Sequence, residues 1–191
     1  MHRQLTEFIK DKIEISDNDL ETILSYFNPA SVKKNELLVS QGELGQQLFF
    51  VKKGCFRIFF INEEGQESTR FLAFENHFAS ALVSFITENS SMEYVQALED
   101  SEILYINRND FFTLLETHPI WEKFYRHYLE FAYVTNTNRL MSFITMDAKT
   151  RYENLLKERP IIVKRLPNKV VASFLNISQE TLSRLKSKKS K

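Results

Sequence analysis

Residues 168–187 read NKVVASFLNISQETLSRLKS, and their spacing decides how the C-terminal part of the chain folds. Val171, Ala172, Leu175, Ile177, Leu182 and Leu185 fall where two short helices locked at a fixed angle need apolar side chains. Ala172 stands at the crossing, where a small residue lets the two backbones approach. Asn176 stands at the turn, where the chain must go left-handed; Gly does this most easily and Asn is the usual second choice. Ser178 is placed to cap the second helix, and Glu180 in its first turn suits the helix dipole. The pattern predicts a helix-turn-helix.

The side chains left on the outer face of the second helix are Gln179, Glu180, Thr181, Ser183 and Arg184. Those types read base edges: Arg forks to guanine, Gln to adenine, and Glu accepts from the cytosine amino group. Lys186, Lys188, Lys189 and Lys191 suit phosphates. With Ser178 at the helix start, these are the candidate DNA contacts, apart from the terminal Lys191. Charge points the same way. Residues 148–191 hold 12 Lys or Arg against three acids, a net charge of +9, and the chain is neutral as a whole, so residues 1–147 carry −9. An acidic body with a basic end suggests two domains and a polyanionic partner. On charge alone, a solvated basic tail is an equal alternative.

The 191 residues fit one large domain or two small ones, and 17 Phe supply a sizeable core. No run approaches the roughly 18 apolar residues of a membrane span. The first twenty residues lack a secretory h-region. The one cysteine, Cys55, excludes an internal disulfide framework or an all-cysteine metal cluster. A cytoplasmic protein without a membrane partner is expected.

Leu5, Phe8, Ile9 and Ile13 share a helical face, and a second helix starts at Ser16 or Asp17. NPAS at 28–31 breaks that helix. From Val32 to Ile106 short runs such as LFFVKKG, CFRIFFI and STRFLAF alternate with turn residues. Gly65 in NEEGQ supplies a hairpin turn. About seven strands suggest a roll, barrel or sandwich, followed by a short helix with Asn109 as its cap. From Ile120 to Arg159 there is neither Gly nor Pro. A helix over 120–146 would span about 40 Å, with Trp121, Phe124, Tyr128 and Phe131 as an aromatic stripe. Those four are the candidate dimerisation residues; the other reading is a helix buried against its own domain. Asp147 is placed to cap the next helix, which stops before Pro160.

The stretch RYENLLKERPIIVKRLPNKVVASFLNISQETLSRLK resembles the C-terminal half of bacterial Crp/Fnr-type transcription regulators. LVSQGELGQQLFFVKKGCFRIFFINEEGQESTRFLAF resembles their cyclic-nucleotide-binding-like domain. The resemblance implies an α+β chain: a double-stranded β-roll of jelly-roll type with flanking helices, a long dimerisation helix, and a helix-turn-helix domain. The corresponding segments are 1–118, 119–146 and 147–191. It places base contacts on Gln179, Glu180 and Arg184. It also implies a homodimer on a pseudo-palindromic double-stranded operator, with RNA polymerase and an unidentified small effector as further candidate partners.

Two departures stand out. Cyclic-nucleotide binders of the family carry a Gly-Glu-Leu step and an Arg on the cyclic phosphate. Ala79, Ser80 and Ala81 stand in place of the first, and Ser91 or Met92 in place of the second. No Lys or Arg occurs between Arg70 and Arg108, an interval with six acids. Phe78, Ala79, Ser80, Ala81, Ser91, Met92 and Tyr94 therefore form a degenerate ligand pocket, and binding of cyclic AMP in the usual manner is not expected. Six residues follow Leu185, too few for the family's β-hairpin wing, so DNA contact is expected to rest on the helix, its flanking backbone and the lysines.

No cofactor, metal site or catalytic residue is expected. The four histidines, His2, His77, His118 and His127, are scattered, and the four glycines form no phosphate-cradling loop. Cys55 is expected to pack in a strand. The alternative to a DNA-binding regulator is a small-ligand-binding roll with a weak or vestigial DNA-binding end.

Overall fold

Alternating apolar residues between Asn28 and Asn107 form the strands of two antiparallel sheets. The structure is a computed structural model that describes the backbone of residues 2–189 and the side chains of residues 2–187. Its strands are β1 (Asn28–Val32), β2 (Leu37–Val39), β3 (Gln47–Lys53), β4 (Phe56–Ile61), β5 (Glu67–Ala73), β6 (Phe78–Ala79), β7 (Tyr94–Ala97) and β8 (Ser101–Asn107). One sheet runs β1-β8-β3-β6, the other β2-β7-β4-β5. This is the expected double-stranded roll. Gly65 turns the β4–β5 connection with φ of 76°.

NPAS does end the preceding helix, yet it also begins β1, where Pro29 faces Leu104 of β8. β1 lies at the sheet edge, the position where a missing N–H is tolerated. The helices of this part are α1 (Arg3–Lys12), α2 (Asp17–Ser25), α3 (Leu82–Thr87) and α4 (Arg108–Thr117). Ser16 caps α2 by accepting from the Asp19 N–H at 3.1 Å. The N-cap of α4 is Asn107, not Asn109, because β8 runs on to that residue before the chain turns helical. Leu5, Ile9, Phe50, Phe78, Phe85, Leu104 and Phe111 form the centre of the core. Cys55 is fully buried beside β4.

The long helix, α5 (Pro119–Thr145), corrects the reading of the aromatic stripe. Trp121 and Phe124 are 0% and 2% exposed and belong to the roll's core. Tyr128 is half-buried, with its ring edge on Phe78 at 5.3 Å. Three of the four candidate dimerisation residues thus face the core, and Phe131 alone is well exposed. The sequence shows the stripe; the roll decides what it covers. Farther along, Tyr133, Val134, Leu140, Met141 and Ile144 are exposed. At 100° per residue they cluster on the side of α5 opposite the stripe.

The remaining helices are α6 (Ala148–Glu158), α7 (Pro160–Arg165), α8 (Asn168–Leu175) and α9 (Gln179–Lys189). Asp147 caps α6 by accepting from the Thr150 N–H at 2.8 Å. Pro160 opens α7 at its first position, where its missing N–H costs nothing. The chain divides into two compact units: Met1–Phe59 with Leu72–Phe131, and Phe60–Phe71 with Ala132–Lys191. Among the described residues no helix is long and apolar enough to cross a membrane, and no cluster of three or more His, Cys, Asp or Glu is placed to hold a metal ion.

Candidate nucleic-acid interface

α8 ends and α9 begins as the local signals dictate. Asn176 is left-handed, with φ and ψ both 52°. The Ile177 N–H donates to the Ala172 carbonyl at 3.0 Å, closing α8. Ser178 Oγ accepts from the Thr181 N–H at 3.1 Å, satisfying one of the orphan donors at the start of α9. Val171, Ala172, Leu175 and Leu182 are buried, while Ile177 and Leu185 are half-buried. α6, α7 and α8 pack on one another, so α9 is held by Leu182 against a three-helix base.

The face that remains carries Gln179, Glu180, Ser183 and Arg184, all exposed. Arg184 Nη2 donates to Glu180 Oε1 one turn earlier, and both side chains are 73% exposed. A pair so open to solvent is worth about 0.3–0.5 kcal/mol. A guanine fork, worth about 1–3 kcal/mol, outcompetes it. Two candidates are engaged elsewhere. Thr181 is half-buried, and its hydroxyl lies 3.0 Å from that of Ser178. Lys186 reaches back to Asn168 Oδ1 at the start of α8. The side chains of Lys188 and Lys189, and the whole of Lys191, lie outside the described residues.

In the roll, Phe78, Ala79, Ser80 and Ala81 are buried. Ser80 Oγ donates to the Gln47 carbonyl at 3.0 Å. Ser91 is buried and exchanges hydrogen bonds with Glu93, at 2.9 Å in each direction. Met92 is 73% exposed. Tyr94 is half-buried and stacks on Phe59 at 5.1 Å. Two charged groups are buried here: Glu93, one of the six acids between Arg70 and Arg108, and Arg57 from β4, which the sequence reading did not single out. Arg57 Nε donates to Gln96 Oε1 at 2.8 Å, and its guanidinium covers the Phe59 ring at 3.8 Å. The signal for Arg57 was its inward position between Phe56 and Ile58 in an all-buried run. His77 Nδ1 lies 3.0 Å from the Glu75 carbonyl.

Residues 29–118 match the family model of the cyclic nucleotide-binding domain. The cyclic AMP receptor protein of Thermus thermophilus is 28% identical over 106 residues, which is 56% of this chain and 49% of that protein. The match therefore spans about half the length of that relative. Among solved structures, the catabolite activator protein of Thermus thermophilus is 23% identical with a TM-score of 0.58, covering 91% of this chain and 83% of the other. The c-di-GMP responsive global regulator CLP of Xanthomonas campestris is 14% identical with a TM-score of 0.73, covering 92% of both chains. A regulator of the Crp/Fnr family from Eubacterium rectale is 15% identical with a TM-score of 0.72, covering 90% of this chain and 82% of the other. Residues 29–118 thus match the cyclic nucleotide-binding domain, in a chain whose fold is that of these solved structures.

Proposed function

We propose that this chain is a sequence-specific DNA-binding regulator that acts as a homodimer on a pseudo-palindromic operator. The observation that carries the reading is the exposed Gln179, Glu180, Ser183 and Arg184 face of α9, held on a buried crossing at Ala172 and Leu182. Two such helices, related by a two-fold axis, would enter major grooves roughly 34 Å apart. A second copy of the chain is supplied by the apolar side of α5: Tyr133, Leu140 and Ile144, with Thr137, recur at the four-three-four spacing of a helical seam.

Selection of bound duplexes from a random pool tests the reading, followed by anisotropy titrations on the selected operator. Arg184→Ala is expected to cost about 1–3 kcal/mol, roughly 5- to 150-fold in Kd, and to relax preference at one base pair in each half-site. Affinity should also fall steeply with salt as counterions are released. Equal affinity of wild type and variant removes Arg184 from the readout. Failure to select any sequence, with retention of a small molecule, favours a ligand-binding roll instead.

We also infer that the roll does not bind cyclic AMP in the family's usual manner. Ala79, Ser80 and Ala81 are packed against the core. Arg57 is committed to Gln96 and Phe59. The cassette itself offers no cation, and a buried phosphate without one is poorly solvated. Calorimetry with cyclic AMP is expected to give no saturable heat in the micromolar range; a micromolar Kd overturns the inference.

A further inference from the structure

In the second unit four arginines line one cavity of about 530 Å³: Arg70 of β5, Arg139 of α5, Arg151 of α6, and Arg159 just past its end. Against these four, Glu158 is the one acid among the wall residues. Every wall residue lies within 60–71 or 132–191.

Two of these arginines, Arg139 and Arg151, are held by neutral groups. Arg139 Nη2 donates to the carbonyls of Thr69 at 2.8 Å and Phe174 at 2.7 Å. The Phe174 and Phe143 rings lie 3.9 and 4.8 Å from its guanidinium. Burial first, then the charges of Arg159, Arg70 and Arg151, pull its pKa down to about 10. At neutral pH it remains protonated, with its charge unneutralised. Arg151 donates to the carbonyls of Met146 at 2.7 Å and Leu175 at 3.2 Å. Its Nε is buried and has no hydrogen-bond partner among the described residues. Neither Arg139 nor Arg151 makes an ion pair among the described residues.

Like charges gathered around one partly enclosed volume disfavour one another. An anion entering that volume reverses the sign of the interaction. We propose that this cavity binds a small phosphate-bearing molecule with two or more negative charges. Guanidinium forks match phosphate oxygens in bidentate pairs. The volume falls within the roughly 300–1,000 Å³ of small-molecule sites. The site is separate from the roll's degenerate pocket, and it stands whether or not α9 reads DNA.

Pyrophosphate, titrated calorimetrically into the full chain at low ionic strength, is the probe. One site per chain is expected, with a Kd below roughly 1 mM and a higher melting midpoint when occupied. Arg70→Gln and Arg151→Gln should each weaken binding by about tenfold or more. Arg151 also holds two carbonyls, so the half-buried Arg70 is the safer test, with unliganded melting as the check on folding. Arg184→Ala combined with Lys186→Ala should leave binding unchanged, which separates the cavity from the basic helix. Absence of saturation up to about 5 mM, or a loss that follows Arg184 and Lys186 but spares Arg70→Gln, overturns the proposal.

Discussion

Leu140→Glu combined with Ile144→Glu is expected to turn a dimer into a monomer and to remove most operator affinity. Both side chains are apolar and open in the single chain, at 59% and 69% exposure. They lie on the side of α5 turned away from the stripe that packs on the roll. Full burial of a Leu or Ile is worth about 1.5–3 kcal/mol. The double change removes four such contributions from a symmetric seam and places carboxylates there, which resist desolvation. A dimer with micromolar to nanomolar Kd rests on about 8–12 kcal/mol, so the association has no reserve. Loss of the second half-site should then lower operator affinity by at least about 100-fold. Light scattering and anisotropy read the two effects. Phe131→Glu, on the roll-facing stripe, should have much the smaller effect. A double variant that stays dimeric at micromolar concentration places the interface elsewhere.

Gly54→Val is expected to destabilise the roll by about 2–6 kcal/mol, a large share of the roughly 5–15 kcal/mol that holds a domain folded. Gly54 has φ of +108°, and a Cβ there would lie 2.1 Å from Ser101 Oγ, 2.7 Å from Ser101 Cβ and 3.0 Å from Ser101 Cα. Ser101 cannot step aside easily. It is buried on β8, and its hydroxyl donates to the Glu99 carbonyl at 2.8 Å. The Gly54 N–H is itself bound to Glu75 Oε1 at 2.8 Å. A β-branched side chain adds its own aversion to positive φ. Gly65→Val is the control: it has φ of +76°, yet nothing within 4 Å of its added Cβ. It therefore bears the backbone strain without the clash and should melt well above Gly54→Val. Equal melting midpoints for the two variants would show that packing against Ser101 contributes nothing.

The helix-turn-helix was legible because its determinants act over a few residues. Asn176 adopts the left-handed turn, Ser178 caps α9, and Ala172 and Leu182 are buried, each where the 3.6-residue repeat placed them. The strand runs were legible for the same reason, through alternation and Gly turns. Only packing revealed that Pro29 stands in an edge strand, since an edge is defined by the absence of a neighbour. The cap position of α4 belongs here too: it falls on Asn107 rather than Asn109 because α4 starts where β8 stops.

In α5 the sequence by itself determined a long helix with an aromatic stripe. The tertiary structure alone decided that the stripe is core, and that the free apolar side is the opposite one. The same division holds for charge. Composition determined a basic C-terminal segment, whereas the meeting of Arg70 with Arg139, Arg151 and Arg159 around one cavity came from the fold. Helix caps, turns and periodicity are set by neighbours within about one turn of chain. Which faces cover one another, and which like charges converge, depends on groups far apart in sequence, and only the packed chain brings them together.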